Sequence, residues 1–161
     1  MKKILNSLFL LAILLFFPGC DNTDVTLLEN LAQGKMVVVI NDGTEELLEC
    51  KFFNYGANLA GEVMIQGLME SPTQNDLTIM YGSMSNEVAL SKKSYVTTTE
   101  ADKINVSGSY GYADENNAVT IKITEITDTA IKGEFSGKIK KPTGETFSIK
   151  GAFWANKGAI M

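Results

Sequence analysis

Apolar residues in this chain follow two regimes. From Ile4 to Phe17 they are almost continuous, interrupted only by Asn6 and Ser7. From Met36 onward they alternate with polar residues, the period of strands with one dry face and one wet face. Met36-Val37-Val38-Val39-Ile40 is a β-branched run that Asn41-Asp42-Gly43 turns back. Leu47 to Phe53 alternates and breaks at Asn54-Tyr55-Gly56-Ala57-Asn58. Glu62 to Leu68 and Leu77 to Tyr81 are further strands, separated by the turn-rich segment from Ser71 to Asp76. Between residues 82 and 102 only Val88 to Leu90 and Tyr95 to Thr98 have strand character. The last third is regular. Ile104 to Tyr112, Val119 to Ile123, Ile131 to Ile139 and Phe147 to Phe153 all alternate, with turns at Asp114-Glu115-Asn116-Asn117, Asp128 and Pro142-Thr143-Gly144.

The fold class that follows is all-β: a single antiparallel β-barrel or β-sandwich of about eight to ten strands, with a short N-terminal helix. The helix rests on Thr26 and Glu29 at capping-box spacing, on Leu27, Leu28 and Leu31 sharing a side, and on Gly34 as a stop. It is too short to be stable alone and forms only by packing on the domain. Four glycines, Gly108, Gly133, Gly137 and Gly151, fall at inward positions. They either let a sheet bend or leave room for a ligand inside it.

The continuous apolar run follows Lys2 and Lys3 and ends at Pro18-Gly19-Cys20, after which the chain turns acidic at Asp21. A spanning helix needs roughly 20 apolar residues, and this run is shorter. A positive start, a short apolar core and a small residue at its exit describe an export signal that is removed. Leu15-Phe16-Phe17-Pro18-Gly19-Cys20 resembles the lipobox of bacterial lipoproteins, with Phe17 and Pro18 as variations on that motif. The resemblance implies cleavage before Cys20 and acylation of that cysteine, and each buried CH₂ of acyl chain adds about 0.8 kcal/mol of membrane affinity. The expected organisation is a signal peptide over residues 1–19, a lipidated tether with the short helix over 20–35, and the all-β domain over 36–161. The expected location is the cell envelope, lipid-anchored at the outer membrane, with membrane contact through Cys20.

Cleavage there sharpens the charge. Two of the 14 basic residues leave with the signal, so 12 lysines face 19 acidic residues and the mature chain carries −7. The sequence contains neither arginine nor histidine. Without a basic stripe, nucleic acid is not an expected partner. Without arginine there is no bidentate phosphate clamp. Without histidine there is no Ser–His or Cys–His pair and no imidazole metal ligand. With Cys20 carrying lipid, Cys50 has no disulfide partner, and alternation puts it beside Leu48 and Phe52 as a buried structural thiol.

Candidate chemistry is correspondingly sparse. Asp42, Glu45 and Glu46 lack the fixed alternation of a calcium loop, as do Asp114 and Glu115, and both groups suit solvated turns. Met64, Met69, Met80 and Met84 are core residues by this reading, rather than copper ligands. Lys138, Lys140 and Lys141 form a basic strand edge. Phe53, Tyr55 and Trp154 are the candidate contacts for an envelope protein, a glycan or a lipid, or else cover the core or the short helix. No catalytic residue, metal site or cofactor is expected.

The C-terminal half carries a second resemblance. Ile131-Lys132-Gly133-Glu134-Phe135, followed by a hairpin and Gly151-Ala152-Phe153, is similar to the ending of small Bacteroidetes-type lipoproteins with a β domain. That resemblance implies anchor and fold and no mechanism. The functional expectation is a non-enzymatic binding or interaction module at the cell envelope. A lipocalin-like carrier of a small apolar ligand is the alternative, and a carboxylate-based hydrolase a third.

Overall fold

The structure is a computed structural model describing residues 29–56, 59–69, 75–82, 88–98 and 103–159. The lipobox-like stretch, Cys20 and Met84 lie outside these residues, as do Thr26, Leu27 and Leu28 of the expected helix; of its described part Glu29 is helical, Asn30 lies in a turn and Leu31 to Gly34 are not helical. Ten strands follow: β1 (Lys35–Ile40), β2 (Glu45–Asn54), β3 (Val63–Leu68), β4 (Asp76–Tyr81), β5 (Ser94–Val96), β6 (Ile104–Gly108), β7 (Gly111–Tyr112), β8 (Val119–Ile126), β9 (Ala130–Lys140) and β10 (Thr146–Lys157).

Of barrel and sandwich, the chain forms the barrel. Eight strands close a ring in the order β1-β2-β3-β4-β6-β7-β9-β10, because β1 pairs with both β2 and β10. The remaining two, β8 and β5, add to the side of β9. Closure at the β7–β9 seam is narrow, a single pair between Tyr112 and Lys140. Beyond the start of β1, β10 meets β2 directly through Asn156 opposite Lys51. Paired all round, the ring has no open edge to template aggregation. Lys138, Lys140 and Lys141 therefore do not guard an edge, since β9 is paired on both sides. Lys140 instead reaches Asp114 at 3.7 Å, and Lys141 lies over the Phe147 ring.

Alternation places Leu48, Cys50 and Phe52 of β2, Val119, Ile121 and Ile123 of β8, and Ile149 and Phe153 of β10 in one buried cluster that fills the ring. Strand β1 departs from alternation, with Met36, Val37, Val38 and Val39 all buried. The cause is a second, outer cluster, in which Leu31 and Trp154 cover Val37 and Ala152. A strand buried on both faces reads as a continuous apolar run, as this one does. The turn after β1 holds Asn41 and Asp42 at φ 50° and 53°, with the Gly43 amide donating to the Ile40 carbonyl, as a turn of the primed type requires.

Three readings of the pattern need correction. Ile104 to Tyr112 is not one strand but a tight hairpin, with Gly108 opposite Gly111 and a turn at Ser109-Tyr110. The Ser109 hydroxyl accepts the Asp76 amide hydrogen at 2.8 Å and fixes the turn on β4. Gly111, at φ 141°, takes a backbone conformation that a side chain resists. Val88 to Leu90 is not a strand. Leu90 plugs the core while its amide donates to the Leu59 carbonyl, and the Tyr81 hydroxyl donates to the Val88 carbonyl at 3.0 Å. Finally, Met64 and Met80 are not in the core. Their neighbours Val63, Ile65, Ile79 and Tyr81 are buried, so the two methionines face outward, directly opposite each other on β3 and β4.

Candidate functional site

Barrel closure brings the ends of β2, β8 and β10 to the same end of the molecule. There a cleft of about 330 Å³ opens, lined by Phe52, Asn54, Leu59, Ile126, Thr127, Asp128 and Lys157. Its volume sits at the lower end of the roughly 300–1,000 Å³ usual for small-molecule sites. Phe52 is buried and forms the floor, with Leu59 and Ile126 half-buried beside it. Asn54, Asp128 and Lys157 supply the polar groups.

Both walls are held by backbone bonds. The Lys157 amide donates to the Thr129 carbonyl at 2.9 Å, and the Gly158 amide to the Phe52 carbonyl at 2.7 Å. The β8–β9 turn is closed by the Thr127 amide on the Ala130 carbonyl, while the Thr127 hydroxyl accepts from the Ala130 amide at 2.9 Å. Asp128 therefore stands at the tip of a turn fixed by its neighbours. Leu59 holds a φ of 59°, a left-handed conformation that costs a bulky residue of order 1–3 kcal/mol. The Asn54 side-chain oxygen accepts from the Gly56 amide at 3.1 Å, which orients its amide group. Among the described residues, Asp128 and Lys157 form no ion pair with each other or with a third group.

Several other carboxylates are committed elsewhere. Asp42 pairs with Lys150 at 2.7 Å, and Glu49 with Lys35. Glu46 accepts from the Tyr110 hydroxyl at 2.6 Å and from the Asn75 amide at 3.0 Å, locking β2 to the β6–β7 turn at the opposite end. Burial, then the hydrogen bond to Glu46, pushes the Tyr110 phenol above its ordinary range. Asp114 accepts from the Asn117 side chain at 2.6 Å and from the Asn116 amide, and these bonds hold its carboxyl below the usual carboxylate value. Among the described residues no cluster of His, Cys, Asp and Glu could hold a metal ion. Cys50 is buried inside the barrel, where desolvation, and to a lesser degree the charge of Glu49, pushes its thiol far above the ordinary range.

The three candidate aromatics do not share one environment. Phe53 is half-buried and lines a smaller outer groove of about 200 Å³ with Glu49, Lys51, Gln66 and Leu68. Tyr55 is exposed just beyond the end of β2. Trp154 is engaged, packed under Leu31 with the Lys132 ammonium 3.5 Å from its ring centroid. At the inward glycines, the room is taken. A β-carbon on Gly133 would stand 2.5 Å from Phe153 Cζ, one on Gly151 would strike the Phe135 ring, and ones on Gly108 and Gly137 would strike the carbonyls of Asp76 and Ala118.

The pattern of the chain does not single out Leu59, Ile126 or Lys157, and marks Asn54 and Asp128 only as breaks between strands. No local signal distinguishes them, because only closure of the ring makes them neighbours. Comparison with known proteins finds no family model, no curated protein and no solved structure that matches the chain.

Proposed function

We propose that the protein is a cell-envelope lipoprotein, cleaved before Cys20 and held to the outer membrane by lipid on that cysteine, whose barrel is a non-enzymatic binding module. The Lys2-Lys3 start, the apolar run and Gly19-Cys20 support the anchor, as does the similarity of the C-terminal strands to those of small Bacteroidetes-type lipoproteins. The observation that carries the binding reading is the cleft at the end of β2, β8 and β10. It combines an apolar floor with an oriented amide and two charges that have no ionic partner among the described residues, on walls held by backbone hydrogen bonds. Few convergent polar groups over apolar surface is the usual composition of a small-molecule site. A chain without histidine, whose Cys50 thiol is buried, has little to offer as a nucleophile–base pair.

The carrier reading, with an apolar ligand inside the barrel, has less support, because the glycine positions on which it rests face phenylalanine rings or backbone. Asp128→Trp, at an exposed turn tip, should occlude the cleft without disturbing the core. Small molecules co-purifying with the full chain from envelope, identified by mass spectrometry, should be lost in this variant. An unchanged set of ligands would remove the cleft as the binding site, and turnover of an ester or glycoside by the wild-type chain would end the non-enzymatic reading.

A further inference from the structure

The two charges at the cleft are of opposite sign, and their arrangement narrows the ligand. Asp128 projects from the β8–β9 turn and Lys157 from the last residue of β10, and the backbone bond from the Lys157 amide to the Thr129 carbonyl ties these elements together. Both side chains line one cleft, both are exposed, and neither has an ionic partner among the described residues. Elsewhere on the surface, opposite charges at comparable positions do pair: Lys132 with Glu125, Lys140 with Asp114 and Lys150 with Asp42. A lone anion in the cleft would meet Asp128 as well as Lys157, and a lone cation would meet the reverse. A molecule carrying both charges satisfies both residues at once. The same cleft is lined by Phe52, Leu59 and Ile126, apolar surface with no polar side-chain atom to offer.

We infer that the cleft binds a small zwitterion, its ammonium on the Asp128 carboxylate, its anionic group on the Lys157 ammonium and its apolar part on Phe52, Leu59 and Ile126. The Asn54 oxygen is occupied by the Gly56 amide, which leaves its NH₂ as the group it offers to the cleft. Two sources present this chemistry, a free amino acid with an apolar side chain and an ethanolamine phospholipid headgroup. The inference rests on the cleft being the binding site and adds the class of ligand.

The test uses the full chain in a non-ionic detergent and isothermal titration. One arm compares leucine with N-acetylleucine, which lacks the ammonium, and leucine ethyl ester, which lacks the carboxylate. A second arm compares glycerophosphoethanolamine with glycerophosphoglycerol, a phosphodiester of the same single negative charge that lacks the ammonium. In at least one arm the zwitterion should bind at least tenfold more tightly than its singly charged analogues, and the arm that responds identifies the source. Asp128→Asn should abolish the preference over N-acetylleucine or glycerophosphoglycerol, and Lys157→Gln the preference over the ester. Each variant should retain the wild-type circular dichroism spectrum, because both side chains are exposed. Equal binding of all analogues, no zwitterion binding in either arm, or preferences unchanged in both variants overturns the proposal. If co-purifying ligands are nevertheless lost in Asp128→Trp, the cleft stands as the site and only the ligand class fails.

Discussion

Phe153 on β10 lies directly opposite Gly133 on β9, and its ring fills the space that a Gly133 side chain would need. The relationship is reciprocal, since Phe135 on β9 lies opposite Gly151 on β10 and fills the space there. Each bare backbone thus admits one large ring, and the two pairs let the longest strands of the barrel bend while the interior stays packed.

Exchanging either member should be costly, and the costs should not add. Gly133→Ala must displace the Phe153 ring and also meets the Lys122 carbonyl at 2.6 Å. A loss of about 1–3 kcal/mol is expected from such overpacking. Phe153→Ala should lose about 3–5 kcal/mol through the cavity it leaves. In the double variant the clash with the ring is gone, so its loss measured by urea denaturation should fall below the sum of the singles. Strict additivity would mean that the ring and the glycine do not share the space.

Much of this barrel is legible from period two alone. β2, β3, β4 and β8 alternate cleanly because each has one face in the core, while β10 breaks step at Ala152, which lies under Leu31 and Trp154 on the outer face. The same rule, applied strictly, puts Met64 and Met80 outside, and only their apolar side chains suggest the core. The β6–β7 hairpin escapes notice because a two-residue turn leaves the alternation of Ile104 to Tyr112 unbroken, and the contact that sets it, Ser109 with Asp76, spans 33 residues. The cleft is invisible for a related reason. Its lining comes from strand ends more than 70 residues apart in the chain, from Phe52 to Ile126, which meet only when β1 joins β2 to β10.

Tyr110 closes the end of the barrel opposite the cleft, and its hydroxyl should matter most at high pH. Tyr110→Phe removes a bond to a carboxylate at a partly exposed site and should cost about 1–2 kcal/mol. The phenol is raised in the folded state, so its neutral form is the one that folding favours. The stability it contributes is complete below the unfolded value of about 10 and is lost as pH rises from there towards the folded value. Wild-type stability should therefore fall more steeply than that of Tyr110→Phe between pH 10 and 11.5, roughly the window that opens at the unfolded phenol. Parallel curves would show that Tyr110 titrates as it does in the unfolded chain.

Asp114 should titrate in the opposite sense. Its carboxylate accepts from Asn117, Asn116 and, through charge, Lys140, all of which favour the ionised form. A depressed carboxyl contributes stability that is present above the unfolded value, about 3.9, and is lost as pH falls through the folded one. Carboxyl chemical shifts followed by NMR should give Asp114 a midpoint below the unfolded-chain value of about 3.9. Asn117→Ala removes the largest of these effects and should raise the Asp114 midpoint; an unmoved midpoint would show that the Asn117 bond does not hold the carboxylate.

The two cysteines give a direct reading of the anchor. Cys50 is 1% exposed and its thiol is held protonated by burial, so it should resist maleimide in the folded protein at pH 8 and react only on unfolding. Cys20 lies outside the described residues, and the proposal for it rests on the lipobox-like sequence alone. On the proposed lipidation a thioether to diacylglycerol blocks its sulfur, so the unfolded membrane-derived protein should carry one reactive thiol, Cys50, rather than two. Cys20→Ser should leave the barrel intact and abolish the lipid, moving the chain out of the membrane fraction and ending incorporation of labelled palmitate. Cys50→Ser should do neither, because its sulfur packs among Leu48, Phe52 and their neighbours and takes no part in attachment. Two reactive thiols in the unfolded membrane-derived protein, or membrane retention of Cys20→Ser, would refute lipidation at Cys20 and leave the cleft to be explained without a membrane beside it.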